Sequence, residues 1–333
     1  MAVVVVGIRG WPRPVVLVLE TLGVAACYYA AGRLGLIRRL VVGDAVVTPI
    51  WPPTGVALAF LLILGVRAVP GIALGALSVV GSLAVLRLSV LGILLGNTAA
   101  PFLAYLMLRR AGFRTELGRV RDGLCLVFLG ALTGMLVSAT VGVGVLALSG
   151  KVDTDGLLPV WLAWWVGDAM GVVIVTPLLL LLHRARRAPP RATRWPEALA
   201  LAAVACCLVT PAALSSLSLL FLVYPLVIWA ALRFELAGSM LCALLASVLA
   251  GFAATERTGA FAGLTDVQTM MKLQAFNGTM ALTALLLSAL ITEQRDTRRS
   301  IARACQELVE ALDHLTAGES PPRRPPGGDG RPP

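Results

Sequence analysis

The chain has 333 residues, 58% of them hydrophobic and 14% charged, with a mean hydropathy of +0.86. Soluble domains carry about 25% charged residues, so this composition excludes a soluble enzyme, a disordered protein and a nucleic-acid binder built on a basic surface. The formal charge of +10 comes almost wholly from arginine, Lys151 and Lys272 being the only lysines. The arginines bunch between apolar runs, the pattern of membrane topology rather than of polyanion binding.

A membrane-crossing helix needs about 20 mostly apolar residues. Ten stretches qualify or nearly do: 15–37, 45–65, 68–86, 88–108, 123–148, 157–182, 197–213, 214–232, 236–255 and 271–291. The joints near Arg67 and Arg87 and around residue 213 are very short, so eight is the fallback count. The expected fold is an all-α polytopic transmembrane helix bundle. Met1–Gly7 is apolar but short and no small-residue cleavage site follows, so no cleavable signal peptide is expected. Arg109, Arg110, Arg114, Arg119 and Arg121 fill one loop, and Arg184, Arg186, Arg187, Arg191 and Arg194 another. With both loops cytoplasmic, both termini are cytoplasmic too, while Lys151–Asp155 and the stretch 256–268 face outward. Arg38 and Arg39 are exceptions beside Asp44.

Polar groups at membrane depth are costly and point to pairing or function. Pro49, Pro52 and Pro53 crowd Thr48-Pro49-Ile50-Trp51-Pro52-Pro53-Thr54-Gly55, predicting a structural break in the second span. A second cluster holds Trp161, Trp164, Trp165, Gly167, Asp168 and Gly171 and ends in Thr176-Pro177, where Pro177 predicts another break. At helical rise Asp168 lies about 16 Å inside, near the midplane. Asn97 falls at similar depth, Arg33 in the outer part of the first span and Asn277 in the outer half of the last. Arg33, Trp51, Asn97, Trp165, Asp168 and Asn277 are therefore expected to line one outward-facing ligand pocket, Arg33 either pairing with Asp168 or receiving an anionic ligand. Five cysteines lie inside apolar stretches and His183 and His314 have no ligand-spaced companion, so no metal and no cofactor are expected. Signatures of soluble catalysis such as a P-loop or G-x-S-x-G are absent from the sequence, and no enzyme is expected.

Beyond the last span, Ile301, Cys305, Leu308, Leu312 and Leu315 recur at alternating spacings of four and three, an a/d seam. The same phase runs back through Arg298, Gln294 and Ile291 to Leu287. From Gly318 the chain turns to Pro, Gly and Arg and is expected to be disordered. The domain reading is thus a cytoplasmic segment 1–14, a membrane domain 15–292, a cytoplasmic amphipathic helix 293–317 and a disordered tail 318–333.

These motifs resemble the MASE1 family of bacterial integral-membrane sensory domains. Tyr28-Tyr29-Ala30-Ala31-Gly32-Arg33-Leu34-Gly35-Leu36 and Ile50-Trp51-Pro52-Pro53-Thr54-Gly55 look like its opening. Gly96-Asn97, Trp164-Trp165-Val166-Gly167-Asp168-Ala169-Met170-Gly171 and Thr176-Pro177 continue the pattern, followed by Pro225–Phe234 and Leu273–Phe276. The resemblance covers residues 15–293 and implies a signal-input module of the bacterial inner membrane, of the kind fused to histidine kinases or to diguanylate cyclases and phosphodiesterases in two-component or cyclic-di-GMP signalling. The chain stops shortly after the last span, and at Glu235 the family more often has Gly. Two expectations follow. One is a sensory protein that binds a small ligand and signals through Ile301–Leu315 to a homodimer mate or a cytoplasmic histidine kinase or diguanylate cyclase, with membrane lipids around it and no nucleic acid. The alternative is a small-solute or ion transporter with a broken-helix site.

Overall fold

The computed structural model describes residues 13–37, 40–42, 45–82, 88–185, 195–215 and 219–316. The N-terminal segment before residue 13, the tail 318–333 and Arg38, Arg39 and Asp44 lie outside the described residues. The first helix, α1 (Arg13–Ile37), leads into a short antiparallel hairpin of β1 (Leu40–Val42) and β2 (Ala45–Val47), with Leu40 opposite Val47 and Val41 opposite Val46. The expected second span starts too early at residue 45. β-branched valines read as apolar on any hydropathy count, yet they favour a pleated strand. Helix α2 (Pro52–Leu64) begins only at the prolines, which occupy its first turn, where a missing N–H costs nothing. The prolines thus open this helix and do not interrupt it.

After the short 3-10 turn Gly65–Ala68 comes α3 (Val69–Gly81), then α4 (Leu88–Arg110). Helix α5 opens as Val120–Cys125, widens to a π-helix over Leu126–Thr133 and continues as Gly134–Leu148. Helices α6 (Leu157–Ala185), α7 (Trp195–Leu214), α8 (Val223–Thr255) and α9 (Asp266–Thr316) complete the chain. Pro177 is buried inside α6, which runs through it unbroken, so the second expected break is absent. Local loss of one backbone bond is tolerated in a membrane helix whose neighbours re-satisfy the freed groups.

Close contacts fix the direction of each helix. Cβ atoms placed on Gly71 and Gly75 of α3 would meet Val24 and Tyr28 of α1, and one on Gly32 would meet Val79, so α1 and α3 run parallel. Gly35 meets Trp51 and Pro52 at the other end of α1, so α2 runs against both and the chain reverses at Gly65. There Gly65 holds φ +68° and ψ −150°, a conformation that favours glycine.

Helix α8 repeats this device. Glu235 has φ 55° and ψ −142°, and the two halves of α8 are distinct helices about it. Tyr224 bonds Thr279, Ser239 lies 2.7 Å from Ser288, and Arg257 pairs with Asp266 at 2.6 Å. The contact point on α9 first moves toward its C-terminal side and then back, so the chain reverses at Glu235 as it does at Gly65.

Among the described residues, seven stretches are long and apolar enough to cross a membrane, with Leu199–Pro211 as a shorter apolar helix. Two of the seven, Pro52–Gly81 and Leu219–Thr255, contain the reversals just described. By these directions Arg67, Arg109, Arg110, Arg114, Arg119, Arg121, Arg184 and Arg233 gather at one end of the bundle. The loops around Lys151 and Glu256 gather at the other. Arg233 forks onto Glu197 at 2.5 and 2.6 Å on the basic end. The core is a continuous cluster drawn from α1 through α9 and includes Tyr28, Leu58, Met135, Ile174, Met240 and Met280.

The chain divides at Ile291, and residues from Thr292 form a separate unit. Within that unit the helix continues to Thr316, and Ile301, Cys305, Leu308 and Leu312 are exposed. The side chain of Leu315 lies outside the described residues. Arg303, Gln306, Glu307, Glu310, Asp313 and His314 fall at the b, c and f positions of the seam, and Ala302, Ala304, Val309 and Ala311 at e and g. The face is therefore broad and apolar.

Candidate functional site

The two tryptophan-proline and tryptophan-aspartate motifs form one contact, made by backbone. A Cβ on Gly171 would lie 2.0 Å from the Trp51 carbonyl oxygen, one on Gly55 2.1 Å from the Gly171 carbonyl oxygen, and one on Gly167 2.5 Å from that of Thr48. Only glycine permits this approach of α2 to α6. Hydrogen bonds then replace what prolines and close packing remove. The Trp51 amide donates to the Gly167 carbonyl at 2.9 Å. The Thr54 hydroxyl sits 2.8 Å from the Trp51 carbonyl and 3.1 Å from the Asp168 carbonyl, a bifurcated donation. The Thr176 hydroxyl donates to the Gly55 carbonyl at 3.1 Å.

This contact fixes the backbone of Asp168 and turns its side chain inward. The residue is 1% exposed, and neither carboxyl oxygen has a hydrogen-bond partner among the described residues. Ser138 of α5 and Trp164 are its polar neighbours. The Ser138 hydroxyl donates to Asn97 Oδ1 at 3.0 Å, joining α4 to α5 beside the acid. Tyr28 of α1, fully buried and with an unbonded hydroxyl, has Trp51 and Asp168 as neighbours.

A second group lies at the same height. Gln274 donates to the Ala163 carbonyl at 3.2 Å and Gly278 faces Met170, so α9 runs alongside α6 and Asn277 falls level with Asp168. The antiparallel pairing of the second half of α8 with α9, set by Ser239–Ser288 and Arg257–Asp266, brings Ser247 to that height too. Asn277 and Ser247 are buried at 0% and 2%, and neither side chain has a partner among the described residues. Ser247 and Tyr28 were not singled out by sequence. A serine or tyrosine in an apolar helix carries no periodic signal, and only the register between helices reveals their shared depth.

Of the six residues expected to share a pocket, Asn97 and Asp168 meet through Ser138, Trp51 borders them, and Asn277 shares their height. Asn97, Asp168 and Asn277 are all buried and make up a polar layer inside the bundle. Arg33 does not belong to it. The buried stripe of α1 is Tyr28, Ala31, Gly32 and Gly35, with Arg33 exposed off that face, and Arg33 forms no ion pair with Asp168. Trp165 is committed elsewhere: its indole N–H donates to the Leu132 carbonyl at 2.7 Å and its ring stacks on Trp161 at 5.5 Å. Leu132 lies in the π-helical stretch, where the wider turn weakens the regular backbone ladder and leaves carbonyls for outside donors. A shallow groove bounded by Leu22, Tyr29, Leu74 and Ser78 lies on the outer face of α1 and α3, away from this layer.

A multi-pass helical membrane protein with a buried, unpaired carboxyl between glycine-packed helices is the class that fold and site define. The MASE1 profile matches residues 21–295, and the chain belongs to the MASE1 family of membrane-associated sensory domains. No curated protein and no solved structure matches it.

Proposed function

We propose that this chain is a signal-input protein of the bacterial inner membrane that takes a small ligand into the polar layer around Asp168. Binding biases the α2–α6 contact between two arrangements, and α9 carries the change to a separate output protein or a second copy through the apolar face of residues 301–312. The basic end of the bundle faces the cytoplasm by the positive-inside rule. In this reading the seven candidate spans, divided at the two reversals and joined by the shorter helix α7, make ten passes with both termini inside. The observation that carries the reading is the Asp168 carboxyl, buried and unpartnered while its own backbone is tied into the helix contact that would move. An acid retained at such cost is the mark of a functional group.

The test is affinity capture of the full chain from native membranes, alongside Asp168→Asn, Leu308→Lys and a chain lacking residues 292–333. A histidine kinase, a cyclase or a second copy should co-purify with the wild type, survive Asp168→Asn and be lost with Leu308→Lys and the truncation. Capture that is indifferent to Leu308→Lys overturns the role of the tail. A downstream output unchanged by Asp168→Asn overturns the role of the layer.

One observation favours a transporter as the second reading. The hairpins turning at Gly65 and Glu235 share one unusual backbone conformation, and transporters are commonly built from repeated helical units. Uptake by proteoliposomes holding the purified chain decides between the two.

A further inference from the structure

The polar layer lacks a positive charge. An ionised carboxylate in a low-dielectric interior costs far more than folding can offset unless it is paired. No charged side chain is among the neighbours of Asp168 in the described residues, and Tyr28 from α1 is the one titratable group facing it. Thr54 of α2 bonds the Asp168 backbone carbonyl, and Ser138 of α5 lies beside its carboxyl. Arg33 is exposed, and Lys272 is held by the Ala260 carbonyl at 2.6 Å over the Phe261 ring.

The remaining valences are mostly oxygen lone pairs. Ser138 donates to Asn97 at 3.0 Å, and its oxygen also lies beside the Asp168 carboxyl. Both Asp168 oxygens are open, as are the Tyr28 hydroxyl and, at the same height, the Ser247 hydroxyl and both the oxygen and the nitrogen of the Asn277 amide. Trp164 is the one indole N–H beside the carboxyl. Such a set suits a positively charged guest and not an anion.

We propose that the ligand of the layer is a single monovalent cation bound at Asp168, either a proton or an alkali-metal ion, which supplies the charge the chain withholds. This deepens the sensory reading and rests on it. Trp164 beside the carboxyl and Trp51 beside Tyr28 make the site its own fluorescent reporter. The experiment follows tryptophan emission of the purified full chain in lipid nanodiscs. Sodium and potassium chloride are titrated against choline chloride at fixed pH, and protons at fixed ionic strength. The wild type should give a saturable change that Asp168→Asn abolishes. Ser138→Ala, which keeps the acid and removes one oxygen, should displace the midpoint by about tenfold. Asp155→Asn, on an exposed turn, should leave it in place. A response to protons alone identifies the proton, and a response to sodium or potassium over choline identifies the metal ion. Superimposable wild-type and Asp168→Asn curves in every titration overturn the proposal. Because partner capture through the tail is read separately, that outcome leaves the sensory reading standing.

Discussion

Gly171→Ala should cost the folded bundle at least about 3 kcal/mol, the upper range of overpacking penalties. The added methyl would stand 2.0 Å from the Trp51 carbonyl oxygen and 2.6 Å from the Thr54 hydroxyl. The obstacle is mainly backbone, which cannot rotate aside as a flexible side chain can. Helices α2 and α6 would have to separate, stretching the Trp51–Gly167 and Thr54–Asp168 bonds together. The matched control is Gly144→Ala on α5, where a Cβ meets nothing within 4 Å. There the gain in helix propensity, about 0.5–1 kcal/mol, should make the protein slightly more stable. Thermal melts of the two purified variants in one detergent read the difference. Equal midpoints would mean that the two motifs do not meet backbone on backbone.

Glu235→Gly should have the opposite sign. A non-glycine residue at φ 55° and ψ −142° is held in a region that costs about 1–3 kcal/mol. The other hairpin uses Gly65 at φ +68° and ψ −150° and escapes that cost. Glycine also loses more chain entropy on folding, so the net gain should be about 1–2 kcal/mol, seen as a raised unfolding midpoint. The reciprocal change, Gly65→Ala, should lower it. A Glu235→Gly protein no more stable than the wild type would show that the turn is not strained as its dihedral angles indicate.

The architecture was readable where residue type alone decides. Apolar runs mark helices, arginine clusters mark one end of the bundle, and glycines beside tryptophan and aspartate mark a close contact. The part that depends on register was not readable. Arg33 lies within a turn of buried Gly32 and Gly35, and hydropathy alone does not say which face of α1 is covered. The stripe of Tyr28, Ala31, Gly32 and Gly35 carries that signal, since small residues at such spacing mark packing. Trp165 looked like a ligand contact because indoles suit an interface, while its actual acceptor, a carbonyl freed by a π-helix, has no signature in composition. The reversal at Glu235 was legible as the charged break between the stretches 214–232 and 236–255, but its backbone shape was not. A glutamate gives no hint of a backbone shape that glycine normally supplies.

An experimental structure of the chain in lipid nanodiscs, resolved well enough to place carboxylates, is the sharpest test of where Asp168 lies. The Asp168 carboxyl should lie inside the bundle, beside Ser138 and Trp164, with no arginine or lysine in salt-bridge range and α2 lying against α6 at Gly55 and Gly171. An Asp168 that faces the acyl chains, or is paired with an arginine such as Arg33, would contradict that placement.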